Sequence, residues 1–206
     1  MRPAHQVGSV LLPWAMSFRI HPATTTRFDD VATILAPKKP GAQGCWCMSY
    51  RLSPADNDAL KAPHRAEAMQ ELCRKRAAPG VLAYDGDEVV GWAAVCPRAD
   101  LAGLSPKRFP LDPDAGAWVV SCFRVRAGHT KQGVATALLD GAVEHARTHG
   151  ATLVEAYPVD TGGDRVDRTQ ASVGTLAMFE RAGFTVVGDT GYTVNGHARV
   201  VVRKTL

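Results

Sequence analysis

A glycine stands where a helix is expected to begin in the run HTKQGVATALL, residues 129–139. Helix N-termini carry unpaired backbone N–H groups and the positive end of the helix dipole. A residue without a side chain at this point lets an anion reach those amides directly. Gly133 therefore predicts a cradle for a phosphate group. The alternative is that Gly133 only allows the helix to pack closely on a strand.

Histidine and cysteine side chains offer other chemistry in the same sequence. His129 lies beside the predicted cradle and could act as a base or pair with phosphate, although a solvated loop histidine is the commoner case. Cys122 could be a nucleophile, but no histidine is placed near it by sequence, which favours a buried structural thiol. Cys45 and Cys47 form a CWC motif. No Cys/His pair at zinc spacing follows it, so we expect no metal.

The elements that must position these residues follow from hydrophobic periodicity and turn signals. The predicted strands are FRIHPA, VLAYD, EVVGWAAVCPR, AWVVSCFRV, TLVEAYPV, FTVVG and ARVVVRKTL. Residues 37–58 are predicted to form a loop, with a strand over residues 45–51 as the alternative. The predicted helices are TTTRFDDVATILA, HRAEAMQELCRKRAA, the run between Gly133 and Gly150, and ASVGTLAMFERA. This order predicts an α/β protein, in which helices cover both faces of a mixed sheet of six to seven strands.

Length and composition set the limits of this fold. The chain has 206 residues, 46% of them hydrophobic and 21% charged, which suits one globular domain, expected over residues 18–206. Residues 1–17 are expected to form a poorly ordered extension and not a secretory signal. With 24 basic and 20 acidic residues the net charge is only +4, so no nucleic-acid partner is expected. No apolar run reaches a membrane span, and five cysteines form an odd set, so a reduced cytoplasmic setting is expected.

Two segments resemble signature motifs of the GNAT acetyltransferases. Residues 125–135, VRAGHTKQGVA, resemble the loop in which an Arg/Gln-x-x-Gly-x-Gly/Ala pattern follows a strand ending in valine. Residues 178–184, MFERAGF, resemble the Leu-Tyr-Glu-Lys-x-Gly-Phe signature, in which a helix ends in glycine and enters a strand. The resemblance extends over residues 18–206 through the order of predicted elements, and it implies the GNAT fold.

The resemblance also implies acetyl-CoA as co-substrate. In this family the loop amides hold the pyrophosphate, and the preceding strand pairs with the pantetheine arm and supplies an N–H donor to the oxyanion. The residues that the resemblance assigns to acetyl-CoA are Phe123, Arg124, Val125, Thr130, Lys131, Gln132, Gly133, Val134, Ala135, Thr136 and Phe179. Thr130 stands where the family usually has arginine or glutamine, so Lys131 or nearby cations must supply the positive charge.

Acetyl transfer to an amine also needs a base for the amine and an acid for the leaving thiolate. Phe179 replaces the tyrosine that often serves as the acid in this family, and it has no proton to give. Tyr157, Ser172 or water are the alternatives, with Tyr157 as the predicted acid. The strand before the glycine loop has no carboxylate, so Glu155 on the next strand is the predicted base.

The acceptor site belongs to the least patterned part of the chain. By resemblance, Trp46, Cys47, Met48 and Tyr50 are expected to line it. The sequence thus predicts an acetyl-CoA-dependent N-acyltransferase acting on a small amine or a peptide amine, as a monomer or homodimer. The alternative is a non-catalytic acyl-CoA-binding module that lacks the acid and the base.

Overall fold

The computed structural model of the protein describes residues 18–39, 41–104, 109, 116–164 and 170–206. Within them a single sheet holds the strands β1 (Arg19–Pro22), β2 (Gly80–Asp85), β3 (Glu88–Pro97), β4 (Ala117–Val125), β5 (Leu153–Ala156), β6 (Thr185–Val194) and β7 (His197–Thr205). The helices are α1 (Phe28–Leu35), α2 (Pro54–Ala59), α3 (His64–Cys73), α4 (Val134–Thr148) and α5 (Leu176–Arg181). Short 3-10 helices lie at Thr25–Arg27, Arg98–Asp100 and Gln170–Val173.

The sheet is mixed and has the order β1-β2-β3-β4-β5-β7-β6. The strands β4 and β5 are parallel, and the other neighbouring pairs are antiparallel. A parallel pair needs a crossover connection, and α4 supplies it between β4 and β5. The predicted α/β class with a mixed sheet of six to seven strands is confirmed, and the sheet has seven strands.

Helices cover both faces of the sheet, which explains why β3 and β4 are largely apolar. On β3, Ala93 and Val95 face the core beneath α4, whereas Trp92 and Ala94 face the core beneath α1 and α3. Successive strand residues point to opposite faces, so a strand covered on both sides needs an unbroken apolar run. Gly91 on β3 lets α4 approach closely, because a Cβ there would lie 2.8 Å from Val134.

The structure corrects several sequence-based boundaries. The alternative strand over residues 45–51 is wrong, because Trp46 and Cys47 both have left-handed backbone angles (φ 50° and 52°) and the segment forms turns. Burial imposes this conformation: Trp46 stacks on Phe28 and Cys47 enters the core beneath α1. The predictions also missed α2, made β5 too long and β6 too short. The predicted extension, residues 1–17, lies outside the described residues.

The strands β4 and β5 separate partway along their length. Their pairing runs from Ala117 opposite Leu153 to Val120 opposite Ala156 and then stops. The strand β4 continues to Val125 and stays paired with β3 on its other edge. Half of β4 therefore has an edge that no strand of the described residues covers, at the carboxyl end of the two parallel strands.

The helices are short relative to a bilayer. No helix in the described part of the chain combines the length and apolar character that crossing a membrane requires.

Candidate active site

The loop before α4 has the open geometry that the sequence predicts for an anion cradle. Gly133 is the N-cap of α4 with φ 90°, a conformation that favours glycine. A Cβ on Gly133 would meet no atom within 4 Å, so the turn is open, and no side chain caps the helix. Lys131 also has a left-handed backbone angle, φ 65°. The first amides of α4 are thus left for solvent or a ligand.

A cleft of about 840 Å³ opens at this turn, and we call it the glycine-loop cleft. It lies between the N-terminus of α4, the uncovered half of β4 and the start of α5. Nine of the residues predicted to bind acetyl-CoA line it: Phe123, Arg124, Val125, Thr130, Lys131, Gly133, Val134, Ala135 and Thr136. The geometry therefore brings most of the predicted set to one surface.

Two residues of the predicted set lie beside the cleft without lining it. The side-chain amide of Gln132 donates to the backbone oxygen of Gly128 at 2.9 Å and so closes the loop. Phe179 is fully buried and packs edge-on against Phe123, with ring centroids 6.1 Å apart. From this position Phe179 supports the cleft wall, whereas its neighbour Met178 lines the cleft.

Cationic side chains predominate among the charged residues that line the glycine-loop cleft. They are Lys38, Arg124, Arg126, Lys131 and Arg181, with no aspartate or glutamate among the described lining residues. Arg126 is paired with the Glu88 carboxylate outside the lining, at 2.5 Å. Only Lys131 and Arg124 were in the predicted set. Arg181 lies in the recognised MFERAGF segment, and its position in the last turn of α5 was the available signal. A group of cations around bare helix amides suits a ligand with several phosphate charges.

The uncovered edge of β4 adds backbone groups to the same cleft. The amide of Arg126 donates to the oxygen of Val90 on β3 at 2.8 Å. Backbone groups of successive strand residues point to opposite edges. Phe123 and Val125 therefore direct their N–H and C=O groups toward the edge that β5 leaves uncovered. An extended ligand arm could hydrogen-bond there as a strand would.

His129 and Cys122 have definite but different surroundings. The Nε2 atom of His129 lies 4.0 Å from the Asp85 carboxylate and 3.9 Å from that of Glu88, and its ring lines the cleft.

Cys122 is half-buried and packs on the core beneath α1. A hydrogen bond with Cys122, together with burial, raises the pKa of the Cys47 thiol. The two thiols are thus neighbours in the core, and Cys45 is exposed.

Tyr157 and Glu155 do not line the glycine-loop cleft. The Tyr157 hydroxyl accepts a hydrogen bond from Arg98, and burial raises the pKa of this tyrosine well above its usual value. Glu155 is fully buried, and its Oε1 accepts from Arg203 Nη2 at 2.7 Å and Nε at 3.2 Å. Its Oε2 lies 3.8 Å from Arg98 Nη1. Both predicted proton-transfer groups are therefore engaged in a buried polar network away from the predicted cradle.

A second cleft, of about 390 Å³, lies on the face of the sheet that carries α1 to α3. We call it the Arg199 cleft, after a buried arginine of β7 in its lining. Of the residues expected to line an acceptor site, Tyr50 lines this cleft. Trp46, Cys47 and Met48 are instead buried in the adjacent core. Ser172, the alternative acid, also lines the Arg199 cleft.

Comparison with known proteins agrees with this architecture. Residues 46–184 match the acetyltransferase (GNAT) family. This match spans more than half of the chain, so the chain belongs to the acetyltransferase (GNAT) family. Comparison with curated proteins found no significant match.

Solved structures share the fold at low sequence identity. The GNAT-family acetyltransferase from Streptococcus pneumoniae is 12% identical with a TM-score of 0.53, covering 92% of this chain and 100% of its own. The ribosomal-protein-alanine N-acetyltransferase from Brucella melitensis is 16% identical with a TM-score of 0.51, covering 91% and 99%. The PaiA N-acetyltransferase from Thermoplasma acidophilum, solved in complex with coenzyme A, is 12% identical with a TM-score of 0.51, covering 93% and 100%. At these identities the comparison establishes the fold.

Proposed function

We propose that the protein is an acetyl-CoA-dependent N-acetyltransferase that transfers an acetyl group to a primary amine of a small molecule or peptide. Family membership supports acyl transfer, and one structural neighbour is a complex with coenzyme A. The observation that carries the proposal is the glycine-loop cleft, where open helix amides and five cationic side chains meet an uncovered strand edge.

The described residues suit separate parts of acetyl-CoA. The amides of Val134, Ala135 and Thr136 at the start of α4 would hold a pyrophosphate, with Lys131 adding charge. The outward backbone groups of Phe123 and Val125 would align the pantetheine arm, and one of their N–H groups would stabilise an oxyanion at the carbonyl oxygen. Acetyl-CoA supplies the activated acetyl group as a thioester.

The described lining of the glycine-loop cleft contains no aspartate, glutamate or tyrosine that could transfer a proton. Glu155 and Tyr157 remain predictions as base and acid, but their buried contacts with arginines favour a supporting role beneath the active site. We propose that solvent takes the proton from the amine. Water is then the proposed donor to the departing thiolate, because Ser172, the other alternative, lines the Arg199 cleft and not the glycine-loop cleft.

A second candidate is a non-catalytic acyl-CoA-binding module. The observation favouring it is that no carboxylate lines the glycine-loop cleft among the described residues, while Phe179 stands where the family often has a catalytic tyrosine. Such a module would bind the thioester as tightly as an enzyme would, without turning it over.

Calorimetry and turnover measurements together test the proposal. Titration of coenzyme A into the protein should release or absorb heat with a stoichiometry of one ligand per chain. Incubation with acetyl-CoA and a panel of primary amines should release free thiol faster than acetyl-CoA alone. Binding without thiol release from any amine would favour the module, and no binding heat would refute both candidates.

A further inference from the structure

Arg199 is a buried cation whose side chain lines the second cleft. Only 5% of the residue is exposed, although it lies on β7 beside solvent-facing neighbours. Its Nε and Nη2 atoms donate to the backbone oxygen of Tyr157 at 3.0 and 2.8 Å, and Nη1 donates to the Tyr50 hydroxyl at 2.8 Å. The rings of Tyr50 and Phe109 each lie 5.8 Å from its Cζ atom. The guanidinium is therefore held by three hydrogen bonds and lies close to two aromatic rings.

No acidic residue neutralises Arg199 among the described residues. Its three hydrogen bonds all go to neutral oxygens. Arg98 and Arg203 differ, because both approach the Glu155 carboxylate. A charge removed from water is costly unless an opposite charge compensates it. Arg199 thus has the electrostatic character of a site that an anion completes.

The remaining donors of Arg199 suit a carboxylate. A guanidinium has five N–H groups. Three of those on Arg199 are occupied, which leaves one N–H on each terminal nitrogen without an acceptor among the described residues. Guanidinium N–H groups bind carboxylate oxygens well, so the two remaining donors favour a carboxylate ligand.

The rest of the Arg199 cleft agrees with this preference. Among the described residues that line this cleft, Arg199 is the only charged one. Tyr50, Asn57 and Ser172 add neutral polar groups. A purely cationic acceptor would meet repulsion there. Two other buried arginines, Arg51 and Arg65, also donate to backbone carbonyls, but neither lines this cleft. The volume of about 390 Å³ suits a small ligand.

The segment from Ser172 to Met178 lies between the two clefts and contributes residues to both. Ser172 and Val173 line the Arg199 cleft, whereas Thr175 and Met178 line the glycine-loop cleft. Gly174 between them has φ 82°, and a Cβ there would lie 2.6 Å from Phe179. Along this segment, only the tight turn at Gly174 therefore lies between the lining of one cleft and the lining of the other. A small molecule anchored at Arg199 could extend an amine past this turn toward a thioester in the other cleft.

From this arrangement, and resting on the proposed acetyltransferase function, we propose that the acceptor is a small aminocarboxylate whose carboxylate binds Arg199. Its neutral amine nitrogen attacks the thioester carbonyl carbon, so a C–N bond forms and the C–S bond breaks. The nitrogen loses one proton to water, and the departing thiolate takes up one proton. The products are an N-acetylated carboxylic acid and coenzyme A.

The test compares acceptors that differ only in the carboxyl group. Amino acids and ω-amino acids of increasing chain length are each assayed beside the matching carboxamide and the matching simple amine. The wild type should acetylate at least one acid with a kcat/KM about 30-fold or more above both analogues, because a desolvated charge pair is lost with either. Arg199→Met should remove that preference by raising the KM for the acid, and Arg199→Lys should retain part of it.

Controls keep the outcome independent of folding. Arg147→Met removes an exposed arginine that pairs with Glu144 on α4, and it should keep the wild-type preference. Coenzyme A affinity and thermal unfolding are measured for each variant, and Arg199→Met should leave coenzyme A affinity unchanged. Calorimetry of the acids with the wild-type complex of coenzyme A provides a measurement that needs no variant.

Different results would refute the aminocarboxylate assignment and the proposed acetyltransferase function. Acetylation of amines with no advantage for the carboxylates would overturn the aminocarboxylate assignment and leave the proposed function standing. Absence of both coenzyme A binding and turnover would overturn the two together. If coenzyme A binds without turnover, binding heat from an acid that Arg199→Met abolishes supports the Arg199 site, and the lack of any such heat refutes it.

Discussion

The two clefts of this protein are built in different ways. The glycine-loop cleft uses a continuous loop, the amides of α4 and cations on its surface. The Arg199 cleft gathers residues from distant parts of the chain, such as Tyr50, Phe109 and Arg199, above a buried polar network. The first holds charge with backbone and solvent-exposed groups, and the second holds charge with a buried, hydrogen-bonded side chain. Substitutions around the buried network should therefore mainly affect stability, whereas substitutions in the glycine-loop cleft should mainly affect coenzyme A binding.

The largest effect is expected from Glu155→Gln, which removes the negative charge beneath the Arg199 cleft. Glu155 is fully buried and approaches the partly buried side chains of Arg203 and Arg98, so its loss leaves their positive charge without a carboxylate. We expect the free energy of unfolding to fall by about 3 kcal/mol, with unchanged coenzyme A affinity. Urea denaturation and calorimetry measure the two.

Glu144→Gln is the matched control for this change. It removes a carboxylate from an exposed pair with Arg147 on α4, and stability should change by less than about 1 kcal/mol. Loss of turnover in Glu155→Gln with wild-type stability would instead support Glu155 as the catalytic base.

The next largest effect is expected from Thr136→Glu, which should weaken coenzyme A binding to the glycine-loop cleft without lowering the stability of the protein. Thr136 is exposed in the first turn of α4 and lines the glycine-loop cleft. A carboxylate there suits the helix dipole but repels phosphate, so coenzyme A affinity should fall by about 100-fold. The melting temperature should stay the same or rise. Calorimetry and thermal unfolding give both readings.

Thr136→Gln has nearly the same size as Thr136→Glu without the charge. It should keep coenzyme A affinity within about 3-fold of wild type, because the electrostatic penalty is absent. Equal weakening by both variants would mean that bulk, and not charge, governs this cleft.

A smaller effect is expected at Lys131, where charge and backbone strain can be separated. Lys131→Met and Lys131→Gly both remove a cation from the cleft and should each weaken coenzyme A binding by about 5-fold. Only glycine relieves the left-handed backbone angle, so Lys131→Gly should unfold with about 1 kcal/mol more free energy than Lys131→Met. Unequal binding losses would show that loop geometry matters more than charge.

The smallest expected effect is that of Tyr157→Phe on turnover. The Tyr157 hydroxyl accepts from Arg98 within the buried network, so its removal should cost about 1 kcal/mol of stability and change kcat by less than about 3-fold. Coenzyme A affinity should stay at the wild-type value. A fall in kcat of about 100-fold, the size expected for a general acid, would restore Tyr157 to that role.

The same contrast explains what the sequence could predict. The order of strands and helices along the chain and the glycine turn follow from local signals, since an apolar run, a turn dipeptide or a glycine before a helix is visible within about ten residues. The position of Gly133 as the N-cap of α4 was predicted in this way and agrees with the structure. That agreement concerns geometry, and ligand binding by the loop stays a prediction.

The Arg199 cleft could not be predicted, because its residues come together only through the packing of β7, α2 and distant loops. Local propensity also failed at Trp46 and Cys47, where burial of side chains overrides the strand preference of their neighbours. An arginine within the apolar run ARVVV was the available signal for a buried cation, since arginine is rarely buried without a partner.

The uncovered edge of β4 has a consequence for what the protein tolerates as a neighbour. Unpaired strand edges invite pairing with other polypeptides and so promote aggregation. Here the edge lies recessed between the first turn of α4 and the start of α5, with arginines and lysines around the opening. Because this edge lies inside a cleft lined by cationic side chains, a bound extended ligand would occupy its hydrogen-bonding groups and so block pairing with a second strand.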